Sequence, residues 1–475
     1  MTISHLLKDY ANRFYGTASF GFMKSGEECV IKAEEFYQHV KKAEHFFRKN
    51  MGERKKQRIA VVGENSYAYL VMIFGIICSE NIVVPLNHTY ADDVLCQFLE
   101  KAAVSKVICD EEYITGLTEK NLEIPILSMG ESFEKILEQP ESIGEESGGV
   151  AEDVILMLLS SGTSGISKIV EITNENLCAF PRRVLEWEQE SPQNSLLLLP
   201  FYHISGIIPL LEDMMRGNLT YISNAKYLIR DIQQYHIDKL ILVPAMMKRV
   251  LGQCEKSEEF KGACNSIKEA LCLGAPMDGD LIQRMENASI TPKTYYGMTE
   301  TTGTVSGEGT YKKGACGKVA PFCEVKIQDG EILVKGRNVM KGYFNDAEET
   351  AKVLEEGWLH TGDLGEIDEE GYLFVKGRRK NTIILSNGEN VCPEELENDL
   401  YRCELVEECR VFGQDDAVKA EVFCGGEKKR EDAEQIIKEH VRALNRSLPP
   451  SHKIKEIQFS NQPLEKNSMG KIIRR

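Results

Sequence analysis

Residues 160 to 168 read Ser160-Ser161-Gly162-Thr163-Ser164-Gly165-Ile166-Ser167-Lys168, directly after the apolar run Val154–Leu159. Glycine lets a backbone turn sharply and approach a ligand closely. Hydroxyls and free backbone N–H groups can wrap phosphate oxygens, and a lysine adds charge. The segment is a candidate phosphate loop, although its composition alone fits a Ser/Gly surface turn equally well. It is not a Walker loop, because GxxxxGK[ST] does not match, and no GxGxxG follows a strand. Five further residues carry usable chemistry: His203 in PFYHISG, Glu300 in YYGMTE, Asp363 in HTGD, Arg378 in KGRRK and Lys471 in GKI. Taken singly they read as a structural histidine, a solvated glutamate, a turn aspartate, a surface arginine and a basic tail.

The elements that must position these residues alternate. From about residue 55, KKQRIAVV ends in a turn, YAYLVMIFGIICSE reads as a buried helix, and NIVVPL as a strand. ADDVLCQFLEKAA reads as an amphipathic helix and KVICD as the next strand. Short apolar strands alternating with helices predict parallel α/β sheets. Residues 141–153 are Gly- and Glu-rich, hence a surface loop. The alternation resumes with VILMLLSSG, SLLLLPFYH, KLILVPA and EALCLGAP. After about residue 310 short strands punctuated by Gly and Asp predict antiparallel β structure. From 381 a small α+β unit begins, and Arg379-Lys380-Asn381 is the candidate joint. The expected architecture is a large domain over 1–379, of two parallel α/β subdomains plus an antiparallel β subdomain. A small mobile α+β domain over 380–475 follows it.

The 475 residues carry a net charge of −17, with 42% hydrophobic, 28% charged and 8% aromatic residues. That is an ordinary globular composition. The acidic balance argues against nucleic-acid and anionic-membrane partners while leaving room for a local basic pocket. The 14 cysteines contain no CxxC, so neither a zinc pattern nor a disulfide scaffold is indicated. The N-terminus shows no signal sequence. The apolar stretches at 69–78 and 196–211 are too short or too broken by proline and histidine to span a bilayer. The expectation is a soluble, cytoplasmic protein.

Along the chain stand, in order, the 160–168 loop, PFYHISG (200–206), GAP (274–276), YYGMTE (295–300), HTGDLGEIDEEGY (360–372), KGRRK (376–380), SNGENVCPEELE (386–397) and NSMGKI (467–472). Together they resemble the adenylate-forming superfamily of acyl- and aryl-CoA synthetases and stand-alone adenylation enzymes, over essentially the whole chain. The resemblance implies that a carboxylate attacks the α-phosphate of ATP, giving an acyl-adenylate and pyrophosphate. A thiol, of coenzyme A or of a carrier protein's phosphopantetheine, then displaces AMP.

Residue by residue, the resemblance implies that Ser160, Ser161, Gly162, Thr163, Ser164, Gly165 and Lys168 hold the phosphates. Glu300, with Thr163, would ligate Mg²⁺, an ion that favours hard oxygen donors and few protein ligands. Tyr296 would stack on adenine opposite Gly274, Ala275 and Pro276, and Gly297, Met298 and Thr299 would complete the nucleotide site. Asp363 would accept from two ribose hydroxyls, as a carboxylate can, and Arg378 would contact ribose and phosphate. Tyr202, His203, Gly274 and Tyr295 would line the acyl site, with His203 beside the reacting carboxylate. Lys471 would bridge carboxylate and α-phosphate. Lys380 would be the hinge, and Asn387, Gly388 and Glu389 would belong to the loop that enters for the thiol step. The chain departs from the usual pattern with Ser160, Ser164, Ser167 and Ile169, where Thr, Thr, Pro and Gly are common, and with Asn387 and Cys392. A histidine at 203 without a nearby aspartate favours a fatty or aromatic acid lacking an α-amino group. Two alternatives remain open: an adenylation enzyme that loads a carrier protein, and a nucleotide- or acyl-binding protein without catalysis.

Overall fold

The computed structural model describes residues 1–24, 26–50, 56–120, 122–140, 149–160, 168–185, 191–275, 277, 279–386, 389–403, 405–424, 430–466 and 472–474. Two seven-stranded sheets form the body of the large domain. The first runs Gly342–Tyr343, Ile169–Thr173, Val154–Leu159, Ile82–Leu86, Arg58–Val62, Lys106–Cys109, Ile126–Ser128. The second runs Thr291–Lys293, Glu269–Cys272, Lys239–Leu242, Asn194–Leu197, Leu219–Ile222, Ala18–Lys24, Glu27–Lys32. Central strands such as Ile82–Leu86 and Lys239–Leu242 are buried along their whole length. That is why they read as continuous apolar runs rather than alternating ones. The helix Tyr67–Cys78 is apolar on every side and lies in the core that spans both sheets.

The parallel reading holds for most strands, but one edge of each sheet is antiparallel. Val154–Leu159 and Ile169–Thr173 pair antiparallel, with Leu159 opposite Ile169. The nine residues 160–168 are too few for a parallel crossover, which takes a dozen or more. The strands on either side of the candidate phosphate loop thus pair with each other, rather than a strand leading on to a helix. The same register accounts for Ile169, which is 2% exposed in the strand core. The N-terminal helix Ile3–Arg13, capped by Thr2, and the antiparallel pair Ala18–Lys24 and Glu27–Lys32 add to the large domain.

A third, five-stranded antiparallel sheet contains Glu331–Gly336, Trp358–Ile367 and Leu373–Arg378. The small domain packs helices Pro393–Leu400 and Arg430–Ser447 with a three-stranded sheet around its own core of Val391, Leu400, Val422 and Ile437. All 14 cysteines are free thiols. No described helix is long and apolar enough to cross a membrane.

Candidate active site

The candidate residues sit at strand ends and on the loops that follow them. Ser160, just past Val154–Leu159, donates its backbone N–H to the Lys168 carbonyl at 2.8 Å, and Lys168 N–H returns to Ser160 Oγ at 3.3 Å. These two bonds close the neck of the loop; Ser161, Gly162, Thr163, Ser164, Gly165 and Ser167 lie outside the described residues. The Lys168 ammonium pairs with Glu349 at 2.6 Å and stands 4.6 Å from the Tyr343 ring centroid. Tyr343 in turn donates its hydroxyl to Glu300 Oε1 at 3.0 Å.

Glu300 occupies a one-turn 3₁₀ segment, Thr299–Thr301, braced by Met298 N–H on the Thr301 hydroxyl at 2.9 Å. The chain leaves this turn through Thr302 at φ 48°, a left-handed conformation uncommon for a β-branched residue. Glu300 is 6% exposed. Burial lifts its carboxyl above the usual range; the Tyr343 hydroxyl and the charges of Arg378 and Lys168 act the other way. The described residues hold no cluster of three metal-type ligands. A lone hard carboxylate of this kind suits a magnesium ion that keeps its waters and shares phosphate oxygens.

Tyr296, at the start of the same segment, donates its hydroxyl to Asp363 Oδ2 at 2.7 Å. Asp363 pairs through Oδ1 with Arg378 Nε at 2.6 Å, the two residues facing each other across adjacent strands. Its backbone N–H is held by the Thr361 hydroxyl at 3.0 Å. Gly297 packs so closely on the Gly303 backbone that a Cβ there would lie 2.3 Å from a carbonyl oxygen. Gly274, at φ 84°, and Ala275 are exposed just past Glu269–Cys272, while Pro276 lies outside the described residues.

His203 follows Asn194–Leu197 and is the N-cap of helix Ile204–Arg216; its Nδ1 accepts from the Ser205 backbone N–H at 3.2 Å. The neutral ring then carries its proton on Nε2. Tyr202 packs edge-on to His88, with ring centroids 5.9 Å apart. Tyr295 turns away from Tyr296 and donates to both oxygens of Glu212, at 3.1 and 3.0 Å. Sequence reasoning passed over Glu212, Tyr343 and Glu349. Glu212 had a signal, since it and Asp213 are two adjacent acids inside the otherwise apolar run IIPLLEDMM. Tyr343 and Glu349 had none, because they reach the site only through the strand and helix after residue 340.

At the joint, burial and Arg378 hold the Lys380 ammonium below its usual range. Glu389 is exposed beside Asn387 and Gly388, which lie outside the described residues, as does Lys471. The tail beyond Lys471 is anchored: Ile473 N–H bonds the Glu465 carbonyl at 2.8 Å, and Arg474 pairs with Glu397. Burial and Glu394 push the Cys392 thiol up to about 12, which disfavours its reactive thiolate form.

The family model described as AMP-binding enzyme matches residues 16–344, and the AMP-binding enzyme C-terminal domain matches 380–475. The chain belongs to the AMP-binding enzymes. Among relatives, this AMP-binding enzyme is 29% identical to a 2-succinylbenzoate–CoA ligase of Oceanobacillus iheyensis, covering 89% of each chain. It is 26% identical to a long-chain-fatty-acid–CoA ligase of Bacillus subtilis, covering 100% of this chain and 93% of the relative. Its fold matches the O-succinylbenzoate coenzyme A synthetase of Bacillus subtilis in complex with ATP and magnesium ion. The TM-score there is 0.81 at 23% identity, covering 99% and 98% of the two chains.

Proposed function

We propose that this AMP-binding enzyme is an AMP-forming acid–CoA ligase that uses ATP, Mg²⁺ and coenzyme A to activate a carboxylic acid lacking an α-amino group. The observation that carries the reading is one polar run. Lys168 at the loop neck leads through Tyr343 to Glu300, and the segment bearing Glu300 leads through Tyr296 to Asp363 and Arg378. Such a run offers, in sequence, a cation for phosphates, a carboxylate for a metal, an aromatic face and a carboxylate for a ribose.

In this reading Glu300, with Thr163, holds Mg²⁺, which when bound neutralises charge on the phosphates. Ser160 to Gly165 and Lys168 bind the β- and γ-phosphates. Gly274, Ala275, Pro276 and Tyr296 to Thr299 hold the adenine, and Asp363 exchanges its Tyr296 and Arg378 bonds for ribose hydroxyls. His203, proton on Nε2, orients the acid with Tyr202, Gly274 and Tyr295. A carboxylate oxygen bonds to the α-phosphorus as the bond to pyrophosphate breaks. Lys471 stabilises charge building on those oxygens. The small domain, 380–475, then turns about Lys380 and brings in Asn387, Gly388 and Glu389. The thiol attacks the acyl carbonyl and AMP leaves with the electron pair of the broken bond.

Among the described residues, the two carboxylates of the helix that His203 caps, Glu212 and Asp213, are already paired with cations. Glu212 is already matched by Arg216 at 3.1 Å and Lys239 at 3.9 Å. An uncompensated buried charge costs about 3–5 kcal/mol, a few hundred-fold or more. The test is AMP release from a panel of acids with CoA present and absent, including propionate against alanine and 3-phenylpropionate against phenylalanine. CoA-dependent AMP release favouring the deamino member of each pair is expected. Turnover only with a phosphopantetheinylated carrier would select the carrier-loading alternative, and no AMP with any acid would select the non-catalytic one.

A further inference from the structure

The short turn 63–66 joins strand Arg58–Val62 of the first sheet to helix Tyr67–Cys78, and it reaches the second sheet twice. Glu64 pairs with Lys226 at 2.7 Å and accepts from Asn224 Nδ2 at 3.3 Å, both just past strand Leu219–Ile222. Asn65 clasps the segment that leads to His203. Its Nδ2 donates to the Leu199 carbonyl at 2.8 Å, and its Oδ1 accepts from the Phe201 N–H at 2.9 Å. Leu199 and Phe201 are buried and lie in neither strand nor helix. Buried backbone groups outside the regular ladders need partners, and one carboxamide carries both a donor and an acceptor.

Pro200, between those two residues, is what His203 hangs on. The Pro200 carbonyl accepts the His203 N–H at 3.1 Å. Gly206, in the first turn of helix Ile204–Arg216, lies so near that a Cβ there would stand 2.3 Å from the same oxygen. Asn65 is held firmly at its own end. The Glu64 N–H bonds Asp110 at 2.9 Å, and Ser66 caps helix Tyr67–Cys78 by accepting the Tyr69 N–H at 3.1 Å. The Tyr69 ring, on that helix, packs on Phe201 with centroids 5.8 Å apart.

We propose that Asn65 is a positioning residue for the acid: by gripping the backbone on both sides of Pro200, it sets where His203 presents its ring. The inference rests on the ligase reading, with His203 beside the reacting carboxylate. Its action falls on the acid and not on the nucleotide. Tyr296, Asp363 and Glu300 are tied to Arg378 and Tyr343, on elements that Asn65 does not bond. A side chain that aims another group matters only while that group is present, which separates positioning from plain support of the fold.

The test is a double-mutant cycle of Asn65→Ala with His203→Ala, read as kcat/KM for AMP release with CoA. The probes are propionate, octanoate, benzoate and 3-phenylpropionate, and the fastest of them carries the cycle. Asn65→Ala alone should lower kcat/KM for the acid about 10- to 100-fold, the order that a misplacement of roughly 1 Å costs, and leave KM for MgATP unchanged. On His203→Ala it should cost little more, because the group it aims is already gone. Asn65→Asp, which has the same shape and keeps an acceptor for the Phe201 N–H, should show the same coupling with a smaller loss. Additive losses in the cycle overturn the proposal, and so does a parallel rise in KM for MgATP. Loss of the fold in both Asn65 variants makes the residue a structural one and overturns it too. If His203→Ala leaves kcat/KM for the acid unchanged, or none of the acids releases AMP, the reading on which the proposal rests has failed, and the proposal with it.

Discussion

Arg379 pairs with Glu331 at 2.7 Å, which ties the residue just before Lys380 to the antiparallel sheet of the large domain. On the other side, Asn381 donates to Glu394 at 2.6 Å, at the start of the small domain's first helix. Lys380 lies between two anchored neighbours. A swivel there would break neither of these two contacts.

That relationship sharpens a hinge prediction. Lys380→Pro fixes φ and removes a backbone donor. Acyl-adenylate formation, followed as pyrophosphate release, should stay near normal while thioester formation slows by tenfold or more. Unchanged overall turnover would place the motion elsewhere.

Lys471 is expected to serve one half-reaction only. Lys471→Ala should lower acyl-adenylate formation by about 10²–10³-fold, the usual loss for one electrostatic stabiliser. Thioester formation from supplied acyl-adenylate should survive. Equal losses in both steps would refute the assigned role.

Glu300 combines a metal and a pH prediction. Burial raises its carboxyl above the ordinary value of 4.5. Its contribution to the stability of the metal-free protein is therefore fully present at low pH and lost as pH rises through the raised value. Protons and Mg²⁺ compete for the same oxygens, so apparent Mg²⁺ affinity should weaken as pH falls from about 8 to about 5.5. Glu300→Gln should weaken Mg²⁺ dependence at every pH and flatten that trend. Magnesium titrations of turnover, with thermal melts of the metal-free proteins, check both.

Asp110 offers a stability prediction away from the chemistry. Burial, then Glu111, Glu112 and Glu64, raise it from 3.8 to about 6, although it accepts the Glu64 N–H at 2.9 Å. Its contribution is present at acid pH and lost as pH rises through about 6. Asp110→Asn keeps an acceptor without the charge. It should be more stable than wild type by about 1–2 kcal/mol near pH 8, allowing for partial solvent screening. The two should melt alike near pH 3.5. A difference independent of pH would remove Asp110 ionisation as its cause.

The body of the fold was legible where burial forces a pattern. The run KLILVPA announces a central strand because both its faces are covered, and YAYLVMIFGIIC a helix inside the core. The hairpin at 154–173 was not, because strand direction is set by the length of the connection, which apolar periodicity does not report. At the site, His203, Glu300 and Asp363 stood out through the residues next to them. Tyr343 and Glu349 did not, since their contacts with Glu300 and Lys168 join residues 43 and 181 positions apart. Glu212 was visible as an acid in an apolar helix, but its partner Tyr295 is 83 positions away.

The pair Lys168–Glu349 bears on how a product gets out. In the proposed reading, the ammonium that grips the terminal phosphates has a carboxylate of the same chain waiting within reach. Nucleotide must displace Glu349 to engage Lys168, so part of the attraction is given up on arrival. The same carboxylate takes the cation back when pyrophosphate departs, so release does not strand a bare charge at the neck of the loop. Such an exchange of partners weakens the hold on substrate and leaving group alike. It suits an enzyme that must let both substrate and leaving group go.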